Sequence, residues 1–292
     1  MRTAINLFPQ LNTIPTGSKV PAIAEGVGIP KIIHQTFYDK VLSPELQNNV
    51  NRLKALNPGW KYRFYDDTDI EHFITSNYPR LVWNYFCRID NTYGAARADL
   101  FRYLLMYKCG GVYLDIKSSL NKPLDETIMP EDCYLLSHWK NGAGEQYDGW
   151  GMHEELIGMA QGEYQQWHIA CAPGHPFLKA VIETVLANID KYNPALHDVG
   201  RYGVLRVTGP IAYTIAINRL QSKHRCRIVD NNAELGFEYS IYKPTDPQGI
   251  LRTHYSALKM PIIKLNAAKK NSALLLKGAQ RLKRSLAKLA HM

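Results

Sequence analysis

An α/β fold with a mixed, mostly parallel sheet flanked by helices is what the sequence predicts, and three observations predict it. Strand-like apolar runs alternate with capped helical segments along the first third of the chain, the rhythm of βαβ units. One of these runs, GGVYLDI, ends in an aspartate, where open α/β sheets place their ligands. The third is bulk: 46% of the 292 residues are hydrophobic, ample for a buried core.

The elements follow in order. Residues 1–28 are punctuated by Pro, Gly and Thr and are expected to be a loose lead-in. IPKIIHQTF (29–37) reads as a buried strand because β-branched Ile32 and Ile33 follow Pro30. SPELQNNVNRLKALNPGW reads as a helix, with Ser43 as N-cap, Pro44 at the first helical position and Asn57-Pro58-Gly59 as the stop. WKYRFYDD (60–67) alternates aromatic and basic residues as a second strand, and its carboxylates open the helix DTDIEHFITSNYP. AARADLFRYLLMYKCGG (95–111) is a helix with Leu100, Leu104 and Tyr107 on one stripe, closed by Gly110-Gly111. VYLDI follows as a third strand. CYLLSHW (133–139) is another strand, NGAGEQYDGWG a Gly-rich loop, and PFLKAVIETVLANID (176–190) an amphipathic helix. Thr208-Gly209-Pro210 precedes a further helix. No repeat and no low-complexity block interrupts this order.

Composition excludes several function classes. The formal charge of +9 comes from 35 Lys and Arg against 26 Asp and Glu. Seven of those cations (Lys269, Lys270, Lys277, Arg281, Lys283, Arg284, Lys288) lie beyond residue 266, where there is no acidic residue. The remaining body carries only +2, so the basicity belongs to a tail and does not argue for a nucleic-acid partner. The five cysteines are odd in number, widely spaced and without a C-x-x-C, the pattern of reduced core thiols in a cytoplasmic protein. No apolar run approaches the ~18 residues of a transmembrane helix. The N-terminal residues, broken by Asn, Gln and Pro, read poorly as a secretory signal.

Four pieces are candidates for one pocket. The strand IIHQT offers Ile33, His34 and Gln35 at its carboxyl end. Asp99 and Arg102, three apart, share one helix face. Asp115 ends the third strand, with Lys117 two positions on. His254, in RTHYS, is a late polar residue in a Pro/Gly-rich stretch. Singly, each has a blander reading: an Asp–Arg pair at this spacing is commonly a surface ion pair worth under ~1 kcal/mol, and a lone His at a strand end is commonly structural.

Together the residues carry a resemblance. A-D-x-x-R-Y-x-x-x-Y-x-x-G-G-V-Y-L-D, Ala98 to Asp115, is similar to the sugar-binding region of the family 32 glycosyltransferases, the DXD-containing sugar transferases that include yeast initiating mannosyltransferases and bacterial capsule enzymes. It extends upstream through IPKIIHQTF and NPGWKYRFYDD, and more faintly downstream through APGHPFL, TGP and the His254 region. The resemblance implies a GT-A fold, a UDP- or GDP-linked nucleotide-sugar donor, a glycan or lipid-linked acceptor, and retention of anomeric configuration in cell-surface or capsular polysaccharide synthesis. It further implies that Asp99 and Arg102 hold sugar hydroxyls, that Ile33, His34 and Gln35 lie near the nucleotide, and that Asp115 is the first DXD aspartate, positioning ribose and metal.

Lys117 departs from that pattern, because the second aspartate is ordinarily the direct ligand of Mn²⁺ or Mg²⁺. A divalent ion normally neutralises the charge that builds on the leaving diphosphate. A lysine supplies a point charge there without coordination and repels a divalent ion. The sequence leaves three readings open: Lys117 replaces the metal, the protein is a non-catalytic nucleotide-sugar-binding relative, or metal is held by Asp115 with a partner such as His254.

In the tail (267–292), Leu275, Ala279, Leu282, Leu286 and Leu289 fall on one helical stripe, opposite Lys277, Arg281, Arg284 and Lys288. That is the pattern of an interfacial helix on an anionic leaflet, which implies a cytoplasmic protein peripheral to the inner face of the plasma membrane. A helix docked on the body or on a second subunit would show the same pattern.

Overall fold

A computed structural model describes residues 9–242, 255–276 and 278. His254 and most of the tail lie outside the described residues. The elements are β1 (Ile32–Thr36), α1 (Pro44–Leu56), β2 (Lys61–Tyr65), α2 (Asp67–Asn77), α3 (Arg80–Arg88), α4 (Gly94–Cys109), β3 (Gly111–Leu114), β4 (Ser119–Leu120), α5 (Leu124–Thr127), β5 (Tyr134–Leu136), β6 (His168–Cys171), α6 (Pro176–Lys191), α7 (Gly200–Val207), α8 (Pro210–Asn218), β7 (Arg227–Ile228) and β8 (Phe237–Glu238). The main sheet has the order β2-β1-β3-β6-β5-β7. β1 pairs in parallel with β2 and β3, β6 is antiparallel to both β3 and β5, and β7 is parallel to β5. It is therefore a mixed, mostly parallel sheet in which β6 alone is reversed.

The local signals act as their chemistry requires. Ser43 caps α1 by accepting from the Leu46 amide, and Asp66 with Asp69 forms a reciprocal capping box on α2. α4 differs from the expected single stripe. Every residue from Asp99 to Tyr107 is buried, since α4 lies between the sheet and α6, and a helix covered on all sides is apolar on all sides apart from what it pairs internally. The Gly110-Gly111 exit is required by space: both have positive φ, and a Cβ would come within 2.6 Å of Pro173 at Gly110 and 2.5 Å of the Ile32 carbonyl at Gly111.

The lead-in is not loose over residues 9–28. It is a strap tied to the body by buried side chains. The Glu183 carboxylate accepts from the Ser18 hydroxyl and from the Lys19 and Val20 amides at 2.8–3.0 Å. Asn188 accepts from the Asn12 amide at 2.7 Å, and the Tyr107 hydroxyl accepts from the Ile23 amide at 3.1 Å. The strap has no secondary structure, so side chains of the body, Glu183, Asn188 and Tyr107, accept from its backbone amides in place of a ladder. No helix among the described residues is long and apolar enough to cross a membrane.

Candidate active site

The carboxyl end of β3 is where the chemistry collects. Arg102, 5% exposed, reaches from α4 to this end. Its Nη1 lies 3.0 Å from Asp115 Oδ1 and donates to the Gln166 carbonyl at 2.8 Å, its Nη2 lies 3.5 Å from Asp99 Oδ1, and its Nε donates to the Ala98 carbonyl. The guanidinium also lies 4.8 Å from the centre of the Tyr113 ring. One planar fork thus ties a helix, a strand end and the chain before β6 together, which a lysine has no geometry to do.

Asp99 is fully engaged. Its Oδ1 accepts from Gln166 Nε2 at 3.1 Å and its Oδ2 from the Thr208 hydroxyl at 2.9 Å. Burial pushes its pKa up, against the opposing pull of Arg102, whereas Arg102, in spite of burial, is held charged by the carboxylates of Asp115 and Asp99. Asp115 is the member of the cluster open to solvent, with a side chain 25% exposed. Its Oδ1 takes Arg102 and the Tyr113 hydroxyl at 3.2 Å, and its Oδ2 accepts no hydrogen bond among the described residues. The polar atoms of Asp99 and Arg102, expected at the sugar hydroxyls, bond one another, Asp115, Gln166 and Thr208, an arrangement that also aims the Asp115 carboxylate.

The three β1 residues expected beside the nucleotide are also enclosed. β1 is an inner strand with covered faces, and its side chains alternate between them. Ile33 enters the apolar cluster with Trp60, Val112 and Leu114. His34 points the other way, with ring nitrogens 3.1 Å from the Tyr65 hydroxyl and the Gly110 carbonyl. Burial lowers its pKa to about 4, so it is a neutral strut. Gln35 accepts from the Tyr62 hydroxyl at 2.9 Å and donates to the Asp115 carbonyl at 3.2 Å; it fixes the Asp115 main chain.

Lys117 leaves the turn after β3, marked by the Ser118 amide bonding the Asp115 carbonyl at 2.8 Å. Its Nζ donates to the Tyr239 hydroxyl at 2.9 Å and lies 4.1 Å from the centre of that ring. It is half-buried, beside the centre and not ion-paired to Asp115 among the described residues. Three further residues join the cluster, Tyr113, Gln166 and Thr208, of which Tyr113 is a fixed position of the Ala98–Asp115 motif. Thr208 belonged to the faint TGP signal, while Gln166 lies in no element and carries none.

A divalent cation fits this edge only in part. Asp115 Oδ2 is the free carboxylate oxygen, and Mg²⁺ or Mn²⁺ is often held by one carboxylate and substrate phosphates. No group of three His, Cys, Asp or Glu side chains comes together among the described residues. Three clefts of about 500, 530 and 760 Å³ lie elsewhere, and none is lined by Asp99, Arg102, Asp115 or Lys117. Charge and strand-end placement identify this edge; cleft volume does not.

Residues 43–135, which hold α1 through β5 and all of Asp99, Arg102, Asp115 and Lys117, match the glycosyltransferase sugar-binding region containing DXD motif. This part of the chain carries the sugar-binding region of the DXD-containing glycosyltransferases. Asp115-Ile116-Lys117, which the sequence offers as the counterpart of Asp-x-Asp, lies within the matched segment. The chain is 27% identical over 161 residues to inositol phosphoceramide mannosyltransferase 3 of Schizosaccharomyces pombe, covering 55% of this chain and 38% of that one. It is 26% identical over 199 residues to the initiation-specific alpha-1,6-mannosyltransferase of the same yeast, covering 65% and 48%. The chain thus spans less than half the length of these curated relatives. The UDP-bound glycosyltransferase domain from the YGT toxin shares its fold, with a TM-score of 0.51 at 9% identity over 74% of this chain and 82% of that domain. The fold is GT-A.

Proposed function

We propose that this protein transfers a hexose from a nucleotide-sugar donor to a hydroxyl of a lipid-linked or glycan acceptor, with retention of configuration. The observation that supports it is Asp115: a solvent-facing carboxylate aimed by Arg102 at the carboxyl end of a central strand, inside the family's sugar-binding region. In the transfer, the bond from the anomeric carbon to the diphosphate oxygen breaks, the acceptor oxygen bonds to that carbon, and the hydroxyl proton leaves with the diphosphate. Asp115 orients the donor, Arg102 and Asp99 hold Asp115, and Lys117 supplies positive charge next to the leaving group. A bound divalent cation would add charge neutralisation there, with Asp115 as its protein ligand. The relatives are named for mannosyl transfer to inositol phosphoceramide or for initiating α-1,6-mannosylation, which favours mannose and a lipid-borne acceptor over capsular polymer.

The decisive experiment is donor hydrolysis across UDP- and GDP-sugars, with and without acceptor extract. Turnover of one donor, raised by acceptor, is expected. Saturable donor binding by calorimetry with no turnover of any donor instead assigns a non-catalytic sugar-nucleotide-binding role, which Lys117 in the second motif position would explain.

The same proposal places the protein on a membrane surface. Residues 267–276 are helical and dock through Ala273, 6% exposed, while Lys269 donates to the carbonyls of Asp190 and Tyr192. Leu274 and Leu275 point away from the body, 69% and 76% exposed. This apolar side suits insertion into an anionic leaflet beside the tail's cations. Full-length protein is expected to pellet with phosphatidylserine vesicles and to release as salt rises, since the attraction is partly screened Coulombic energy. Truncation after Leu276, which keeps the docked turn, should end pelleting without changing the melting temperature; equal pelleting of both forms would remove the tail from the proposal.

A further inference from the structure

Asp115 divides its sheet edge into two halves. On one side, β2, β1 and β3 are parallel neighbours, and open parallel sheets bind nucleotides over such strand ends. On the other side, across the reversed β6, β5 runs in the same direction as β3, so the chain leaving β5 emerges at the same edge. That chain builds a packed group of aromatic rings. Trp139 stands edge-on to Tyr147, Trp150 and Tyr239, at centroid distances of 4.8, 5.2 and 5.1 Å. Trp139 is enclosed, whereas Trp150 is 46% exposed. The group abuts the candidate centre through Lys117, whose ammonium lies over the Tyr239 ring.

This loop is held in place from several directions. Trp139 Nε1 donates to Glu163 Oε1 at 2.8 Å, and His153 Nε2 lies 2.7 Å from the other oxygen of that carboxylate. Asn141 Nδ2 donates to the Trp150 carbonyl at 2.7 Å, and the Tyr147 amide to the Lys140 carbonyl at 3.0 Å. Gly151 has φ near +74°, and a Cβ there would come within 2.7 Å of Glu163 Cγ. An exposed indole fixed this way is a preorganised surface. Its surroundings are polar, since Glu145 and Asp148 of the same loop are exposed. A nearby indole N–H, that of buried Trp167, has no partner among the described residues, and Trp167 sits 5.6 Å from Tyr239.

A half-exposed indole with exposed carboxylates in its own loop matches a ring that is apolar on its C–H face and hydroxylated at its edge. A lipid tail would use the face but not the rim, and a nucleobase belongs with the parallel half of the sheet. We propose that Trp150, backed by Trp139, Tyr147 and Tyr239, is the stacking platform for the acceptor's ring, a cyclic polyol such as a pyranose or inositol, lying across Lys117 from the donor nucleotide. The assignment as acceptor seat rests on the glycosyltransferase reading above; the polyol-binding platform does not.

The test uses the full chain. Tryptophan fluorescence is titrated with methyl α-D-mannopyranoside and, separately, with myo-inositol, whose relative strength tells a glycan from an inositol-lipid head group. A saturable change with at least one ring is expected in the wild type, lost in Trp150→Ala and kept in weakened form in Trp150→Phe. GDP or UDP should not displace the ring. In turnover, Trp150→Ala should lower the ratio of transfer to donor hydrolysis about tenfold, the scale of one aromatic stacking contact. No saturable change with either ring, a change that survives Trp150→Ala, or displacement by a nucleoside diphosphate overturns the platform; the last hands Trp150 to the donor base. Ring binding in a protein that hydrolyses no donor sustains the platform and sinks the transferase reading instead.

Discussion

Arg102→Ala is expected to cost about 3–5 kcal/mol of stability, because it leaves the Asp99 and Asp115 carboxylates without their cation. Asp99 is 3% exposed and Arg102 5%, so water cannot take the guanidinium's place. A surface pair at this spacing would cost under ~1 kcal/mol, and the two magnitudes are readily separated by urea denaturation. Arg102→Lys keeps a charge but cannot reach Asp99, Asp115 and the Gln166 carbonyl together, so it should lose far less stability and yet lower turnover by about 10²-fold as Asp115 drifts. Asp99→Asn should be milder than Arg102→Ala, since an amide still accepts from Gln166 and the Thr208 hydroxyl can turn to accept from its Nδ2. Wild-type stability and turnover in Arg102→Ala would reduce the cluster to an incidental ion pair.

Lys117→Ala should lower turnover by about 10²–10³-fold, the usual consequence of removing one preorganised charge from a developing anion, with activity of the wild type surviving EDTA. The loss should fall on turnover, with little change in melting temperature, because Lys117 is half-buried and its partners are a phenol hydroxyl and ring face. Tyr239→Phe, which removes only the hydroxyl that orients Nζ, should give a smaller loss in the same direction. Lys117→Asp restores Asp-x-Asp: without metal it should be worse than Ala, since it adds a carboxylate beside the diphosphate, and added Mn²⁺ should raise it. Wild-type activity that vanishes in EDTA and returns with Mn²⁺ would overturn charge substitution. Asp115 Oδ2 would then be the protein ligand, and His254 the first further residue to mutate.

Much of this protein is readable without coordinates. Ser43, Pro44 and Asp66 declare helix starts because capping is a contact between residues three apart. Gly110-Gly111 declares the α4-to-β3 turn because only glycine takes those backbone angles in that space. Ala98 to Asp115 marks the site, since helix and strand bring its residues together over a short stretch of chain. β6 and α3 escape such reading. β6 has four residues, two of them His168 and Cys171, and joins the open edges that β3 and β5 would otherwise present; α3 follows Pro79 with no side-chain cap.

The roles within the site were decided by tertiary structure. Asp99, Arg102, His34 and Gln35 all looked like ligand contacts, because polarity in a sequence does not say which way a side chain faces. α4 is covered on every side over Asp99–Tyr107 and β1 on both, so these groups bond within the protein, Asp99 with Arg102, His34 with Tyr65 and Gly110, Gln35 with Tyr62, while Asp115, at the strand's open end, meets solvent. The aromatic platform has the same origin. Trp139, Tyr147 and Trp150 lie in one loop, but Tyr239 is about ninety residues away and reaches them through the pairing of β4 with β8. Local hydrogen-bonding and steric rules act over a few residues and are written in order along the chain; burial and long-range pairing depend on what packs against what, and only the folded chain supplies that.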